Sequence, residues 1–413
     1  MPPLLSGIRV IDLTMWWAGP FVTQLLGDMG AEIIKIESIQ VPDGWRFTVP
    51  NADHNKPWEL SSYYNGVNRN KYGLTLNLQD PRGIELCKRL VGMGDIVVEN
   101  YTPRVMANFG LDYAKLRAIK PDIIMLSLSG YGGTGPWRDY AAFAFPVEDM
   151  SGFPQLTGYE DEDTPRRWGN SGVDAISGLT GAYAVLTALE HWRRTGEGQR
   201  IDLSMVEALT SFLGEPLLDY QVNQRLPQRQ GNHHPAHAPH GIYPCRGADR
   251  WVSIAVTNEE EWRALCTTLG QSDWLGDPRF AGPLARQTHQ AVLDEAIGEW
   301  TRQHDRMAVM HALQAAGVPA MPALSSADVL NDPHMQARGY FQRTTRAEIG
   351  PHAHGLHWAH FSETPLSLRR PAPLLGEHNA FVLKELLGLS DAELSDLERD
   401  KVIGTTFVGS ARL

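Results

Sequence analysis

Apolar and polar positions alternate along the first third of the chain in a repeating order. Short β-branched runs, "IRVIDL" (8–13), "AEIIKIE" (31–37), "DIVVE" (95–99) and "DIIMLSLS" (122–129), are separated by segments with helical spacing such as "FVTQLLGDMG" and "PRGIELCKRLVGMG". Runs apolar on both faces and separated by helices predict a parallel α/β sheet. A long apolar helix is expected over about 175–193, ended by the basic turn and glycines of "RRTGEGQ", and a second helix over about 202–219. The polar, proline- and histidine-rich stretch 221–245 loses all period and reads as a linker. The pattern then restarts with "WVSIAV" and "EEEWRALCTTLG", a smaller α/β unit. The expected layout is therefore 1–220 as the first part of a large domain, 221–245 as linker, 246–330 as small domain, and 331–413 as a return linker whose closing helices dock on the large domain.

Length and composition narrow this picture. A chain of 413 residues exceeds the usual size of one core. A net charge of -11 excludes a nucleic-acid surface, so any anionic ligand needs a local cluster of donors. Cys87, Cys245 and Cys266 lack paired spacing, which fits a reducing compartment and gives no thiolate zinc site. No stretch reads as a membrane span and the N-terminus lacks a leader pattern. A cytoplasmic protein is expected.

Several segments carry candidate chemistry. "GYGGTG" (130–135) has dinucleotide-fingerprint spacing, but Pro136, Trp137 and Arg138 follow instead of a helix, which argues against that use. The histidines of "HHPAHAPH" (233–240) lie between prolines, without a facing metal pair, so no metal site is expected. "TMWWAGP" (14–20) makes a tight turn between a strand and a helix, at the sheet edge where ligands bind. Arg69, Lys71 and Arg104 fall in other loop segments and together could clamp phosphates. In "GVDAISGLTGAY" (172–183), Asp174 heads a glycine-notched apolar helix. Capping is the commoner reason for such an acid; a nucleophile or general base facing a pocket is the other.

The segments "LSGIRVIDLT…AGP…LLGDMGAEIIKIE", "NRNK", "VVENYTP", "LSGYGGTGP", "VDAISGLTGAYAVLTALEHWRRTGEGQRIDLSM" and "PAPLLGEHN" together resemble class III CoA-transferases, from about residue 5 to 403. That family includes formyl-CoA transferase, the carnitine CoA-transferases and α-methylacyl-CoA racemase. The resemblance implies a Rossmann-like large domain built from both chain ends, a small α/β middle domain and an interlocked homodimer. It implies that Asp174 is the nucleophile, and that Trp17, Ala18, Lys71, Asn100, Tyr101 and Arg104 bind coenzyme A, which enters as a substrate beside a carboxylic acid, with no resident cofactor and no metal.

Departures from the family pattern carry information too. Phe145 stands where formyl-CoA transferase has a glutamate, Asn108 where it has an arginine, and its glycine-rich gating loop has no counterpart after Asn232. Phe143 stands where the racemase branch has its histidine. Loss of a second base favours acyl-CoA:carboxylate CoA transfer through aspartyl anhydride and aspartyl-CoA intermediates over racemase, isomerase or lyase chemistry with Asp174 as base. A binding protein of the same fold is the third reading. Trp16, Trp17 and Phe143 are candidates to line an apolar acyl pocket.

Overall fold

The computed structural model describes residues 2–48, 54–169 and 172–409. The chain divides into two compact units. The larger comprises residues 1–153, 168–223 and 336–413, and the smaller 154–167 and 224–335.

In the larger unit, six strands form one sheet: β1 (Arg9–Asp12), β2 (Glu32–Glu37), β3 (Lys71–Thr75), β4 (Ile96–Glu99), β5 (Ile124–Ser129) and β6 (Arg200–Ser204). Their order is β3-β2-β1-β4-β5-β6 and every neighbouring pair is parallel. This is the doubly wound order in which the chain leaves β1 and β4 toward opposite sides, opening a crevice at their carboxyl ends. Two apolar layers cover the sheet. On one face the Ala18–Asp28 and Gly172–Thr195 helices bury Val22, Leu26, Val173 and Val185 against Val10, Ile33 and Leu126. On the other, the Pro81–Met93 helix and the C-terminal segment bury Leu86, Leu90, Val382 and Leu397 against Ile11, Ile34 and Val97.

The β-branched runs became β1, β2, β4 and β5. Three expectations change. Residues 71–75 and 200–204 are strands, not loop and helix start; both are edge strands, where polar residues are tolerated and apolar alternation is weak. The expected linker 221–245 holds His240–Pro244 (β7), which pairs with Trp251–Ala255 (β8) and, through it, with Ala320–Pro322 (β9) in an antiparallel sheet of the smaller unit. The segment 341–355 is a hairpin of Phe341–Arg346 (β10) and Gly350–Gly355 (β11). The Gly172–Thr195 helix passes for a membrane span by length and composition alone, with a mean hydropathy of 1.3 over its most apolar window. Its buried residues pack into the core of the larger unit.

Candidate active site

The two loops at the β1/β4 crevice are tied together by one side chain. The Asn100 amide accepts from Met15 N–H and donates to Met15 C=O, both at 2.8 Å. Asn100 is thus spent on fixing the β1 loop. Gly19 is obligatory beneath it, because a Cβ there would stand 2.6 Å from Thr14 and 2.8 Å from Asn100.

Lys71, expected to bind CoA, turns inward in this structure. Its ammonium is fully buried and donates to Asp12 Oδ2 (2.9 Å), Pro20 O (2.9 Å) and Asn68 Oδ1 (2.8 Å). Burial holds it down to about 8 against the pull of Asp12. Three acceptors saturate its three N–H donors, so none is left for a phosphate. It supports the "AGP" turn from below through the Pro20 carbonyl. Arg69 is likewise engaged, by Asp28 (2.6 Å) and by His354 Nδ1 (3.3 Å). Burial lowers the His354 pKa, and its Nε2 donates to Asn65 O (2.8 Å), leaving Nδ1 to accept from Arg69. Arg104, in contrast, is exposed at the first turn of the short Arg104–Asn108 helix. It does not join Arg69 and Lys71 as a clamp.

A chain of buried ion pairs continues from Lys71. Lys35 meets Asp43 (3.0 Å) and donates to Thr14 O (2.7 Å); Arg46 meets Glu37 and Glu59 (2.8 Å each); Arg346 of β10 also meets Glu59. Burial pushes Glu37 up, but Arg46 and Lys35 override it and hold the carboxyl down to about 2. Four acids (Asp12, Asp43, Glu37, Glu59) face four bases (Lys71, Lys35, Arg46, Arg346), so the buried set is neutral. Its function is visible at Asp43, whose Oδ1 accepts from Trp16 N–H (2.9 Å) and Trp45 N–H (3.1 Å) and so holds two aromatic loops.

Asp174 lies on the opposite bank. The Gly172–Thr195 helix starts two residues ahead of it, so Asp174 is inside the first turn and is not the N-cap; the capping position, Ser171, lies outside the described residues. A Cβ at Gly178 would stand 2.7 Å from Phe21 and 3.0 Å from Ala18 O, and one at Gly181 2.7 Å from Val22. These contacts advance together along both helices, so the two helices start at the same end. Ala18 itself is buried beneath this crossing, with only its carbonyl facing Gly178. The helix starts therefore point the same way, each the positive end of a helix dipole, with Gly172 lying about 9 Å beyond the level of Ala18. The approach to the helix is fixed by Trp168, whose N–H donates to the buried Glu148 (2.7 Å) and whose ring packs on Phe153 and over Gly172. Asp149 is exposed.

Two cavities flank these loops. One, of about 230 Å³, lies at the sheet edge between Met15, Ile36, Leu76, Tyr101 and Phe109. The other, of about 500 Å³, is lined by Trp17, Phe21, Tyr63, Arg69, Ala175 and Trp358. Trp17 and Tyr101 thus border cavities, and Ala175 brings the Asp174 turn to the second one. Tyr63, which lines the second cavity, and Trp45, stacked on it at 4.4 Å, were missed by sequence reasoning; they occur in segments without period, and no spacing marks them. The "GYGGTG" glycines open no helix, and Gly133 N–H turns onto Asp202 instead (2.8 Å). Among the described residues, no three His, Cys, Asp or Glu side chains converge as a metal site.

The profile of CoA-transferase family III matches residues 5–379. A succinate–glutarate CoA-transferase of Agrobacterium fabrum is 37% identical over 93% of this chain and 96% of its own. A succinyl-CoA–D-citramalate CoA-transferase of Chloroflexus aurantiacus is 34% identical over 97% and 98%. The solved structure of a CAIB/BAIF family protein from Brucella suis superposes with a TM-score of 0.85 at 32% identity, covering 94% of this chain and all of that one. The Rossmann-ordered sheet, the crevice at its switch point and these full-length matches agree: the chain belongs to CoA-transferase family III and is a class III CoA-transferase.

Proposed function

We propose that the enzyme transfers CoA from an acyl-CoA to a free carboxylate, with Asp174 as nucleophile. The observation that carries this is the placement of Asp174 in the first turn of a core helix, beside the "AGP" turn and next to a residue that lines a 500 Å³ cavity. The dipole of that helix favours negative charge in its first turn. One carboxylate oxygen attacks the thioester carbonyl, the C–S bond breaks, and a mixed anhydride and CoA thiolate form. The thiolate attacks the aspartyl carbonyl, releasing the first acid and leaving an aspartyl-CoA thioester. The acceptor carboxylate attacks that thioester, the thiolate leaves, and its attack on the acceptor acyl carbonyl restores Asp174. No net proton moves and no resident cofactor is needed. An anhydride is activated enough to regenerate a thioester; a serine ester is not.

The slot near Tyr101 and Val105, at the crevice where open α/β sheets hold nucleotides, suits the adenine of CoA, with Arg104 next in sequence to Val105 and Trp17 toward the thiol end. The relatives named for succinate, glutarate and D-citramalate support a short dicarboxylyl-CoA as donor. The general-base reading loses support at Phe143, an exposed phenyl ring that cannot carry a proton.

An interlocked homodimer is part of the proposal. The Gly214–Asn223 helix has no buried residue, and Phe212, Leu218 and Val222 are 61%, 62% and 76% exposed. Apolar surface of this kind calls for a partner, and a second copy fits the family. The three buried free thiols support a cytoplasmic setting.

Exchange of labelled succinate into succinyl-CoA tests the reaction class. The wild type is expected to exchange, and Asp174→Asn to lose at least about 10³-fold. Label appearing at the α-carbon in deuterated water, abolished by Asp174→Asn, would replace transfer by base catalysis.

A further inference from the structure

We infer that one of the two acids exchanged by this enzyme carries an aromatic ring, held against a wall formed by Trp16, Trp17, Trp45, Tyr63 and Phe143. This rests on the transfer reaction proposed above and names the class of its second substrate.

The five rings come from four separate segments and meet as one cluster. Trp16 stands edge-on to Trp45 (5.5 Å, 75°) and to Phe143 (5.7 Å, 89°). Trp17 stands edge-on to Trp45 and to Tyr63 (6.2 Å each), and Trp45 stacks on Tyr63. The cluster is assembled at a cost. Trp16 has φ +67°, a region that bulky side chains rarely adopt, and is held there by its N–H bond to Asp43. Gly44 gives up its side chain to make room, since a Cβ would stand 2.2 Å from the Trp16 ring. Yet Trp16 is 37% exposed and Phe143 62%. A strained backbone that delivers an indole to a half-open surface is what a ligand wall needs and what a core does not.

The charges around the adjoining cavity choose between ligands. Trp17, Tyr63 and Ala175 share that cavity with Arg69, the one cation among the described residues that line it. Arg69 is already paired with Asp28 by three contacts of 2.6–3.2 Å. The second carboxylate of a dicarboxylyl group would find no uncommitted cation among the described lining residues, so it gains nothing from the wall and stays in water at the open side. An aryl group would find ring edges and faces at contact geometry, which adds to simple burial. Donor and acceptor acyl groups reach Asp174 and the same CoA sulfur in turn, so one site takes both: it tolerates the dicarboxylyl group that the relatives' names suggest and favours an arylalkanoic acid. The chemistry of the wall fits phenyl- or indolyl-substituted acids alike.

The test uses the full-length enzyme with succinyl-CoA as donor and four acceptors: 3-phenylpropionate, indole-3-propionate, butyrate and glutarate. Product thioesters are read by mass spectrometry to give kcat/KM. The inference expects the two aryl acids to exceed butyrate and glutarate at least tenfold. Phe143→Ala and Trp16→Gly, the second keeping a residue suited to positive φ, are expected to lower the aryl-to-butyrate ratio about tenfold each. Transfer to glutarate without transfer to aryl acids overturns this inference alone. A ratio unchanged in both variants also overturns it, since the rings would then serve only the CoA arm common to all reactions. Absence of succinate exchange in the wild type would instead overturn the transfer reaction, and this inference with it.

Discussion

The two banks of the crevice solve different problems. On the bank beneath β1, β2 and β3, charged side chains are abundant and every one is committed: Lys71 to Asp12, Lys35 to Asp43, Arg46 to Glu37 and Glu59. On the bank facing Asp174, the side chains are aromatic, and several are left half-open. The difference teaches which residues a ligand can use. A charged residue in a motif is not thereby a ligand contact, because a buried ion must be satisfied by the protein itself. Lys71 and Asn100 spend their hydrogen bonds on the loops around the crevice, and on the proposed reading they reach a ligand through those loops. Trp16, Trp17 and Phe143, whose surface is left partly open, are the residues proposed to touch a substrate.

The sharpest way to break this comparison is Lys71→Ala. If Lys71 is internal wiring, its loss strands Asp12 as an unpaired buried anion and should lower unfolding stability by about 3–5 kcal/mol. Adding Asp12→Asn should recover a large part of that. Denaturant titration of the single and double variants reads both effects. A Lys71→Ala enzyme of unchanged stability, with KM raised for every acyl-CoA, would return Lys71 to the ligand.

Glu99 sharpens the same contrast at the end of β4. Burial raises its carboxyl to about 7, against hydrogen bonds from Ser127 and Tyr101 N–H. The neutral form is favoured in the fold, so the unfolded chain releases its proton first as pH rises. The cost to stability is absent below about pH 4.5, grows between 4.5 and 7, and is full above 7. Two and a half pH units correspond to about 3 kcal/mol. Glu99→Gln should therefore stabilise the protein by up to about 3 kcal/mol at pH 8 and by nothing at pH 4. Melting curves at the two pH values check this; equal shifts at both would contradict it.

A smaller effect is expected where the Asp174 helix crosses the Ala18 helix. A Cβ at Gly178 would stand 2.7 Å from Phe21 and 3.0 Å from the Ala18 carbonyl. The carbonyl is backbone and cannot rotate away. Gly178→Ala should cost about 1–3 kcal/mol by overpacking and lower kcat more than it raises KM. Gly92→Ala, at an exposed position of the Pro81–Met93 helix where a Cβ would meet only Ile119 at 3.6 Å, is the control and should change neither.

Much of this architecture was legible from residue order. Continuous β-branched runs marked four of the six parallel strands, because such strands are buried on both faces. The edge strands escaped: "KYGLT" begins with a lysine whose partner, Asp12, is 59 residues away, and nothing local shows that the charge is neutralised. The β10–β11 hairpin escaped for a related reason. Its Arg346 and His354 are satisfied by Glu59 and Asn65, distant in sequence. At the site, motif spacing located the β1 loop and the Asp174 helix, but not what each side chain does there. Trp45 and Tyr63 join the wall only through tertiary contact, and Lys71 and Asn100 turn inward. The roles of polar residues depend on partners, and partners are a property of the fold.

The covalent state of Asp174 tests the account most directly. The enzyme is mixed with succinyl-CoA, quenched with borohydride or hydroxylamine, digested, and its peptides mapped by mass spectrometry. The account predicts a modification at Asp174 that requires the acyl-CoA and is absent from Asp174→Asn. Modification at Glu148 or Asp149 instead, or none in an enzyme that still exchanges succinate, would contradict it.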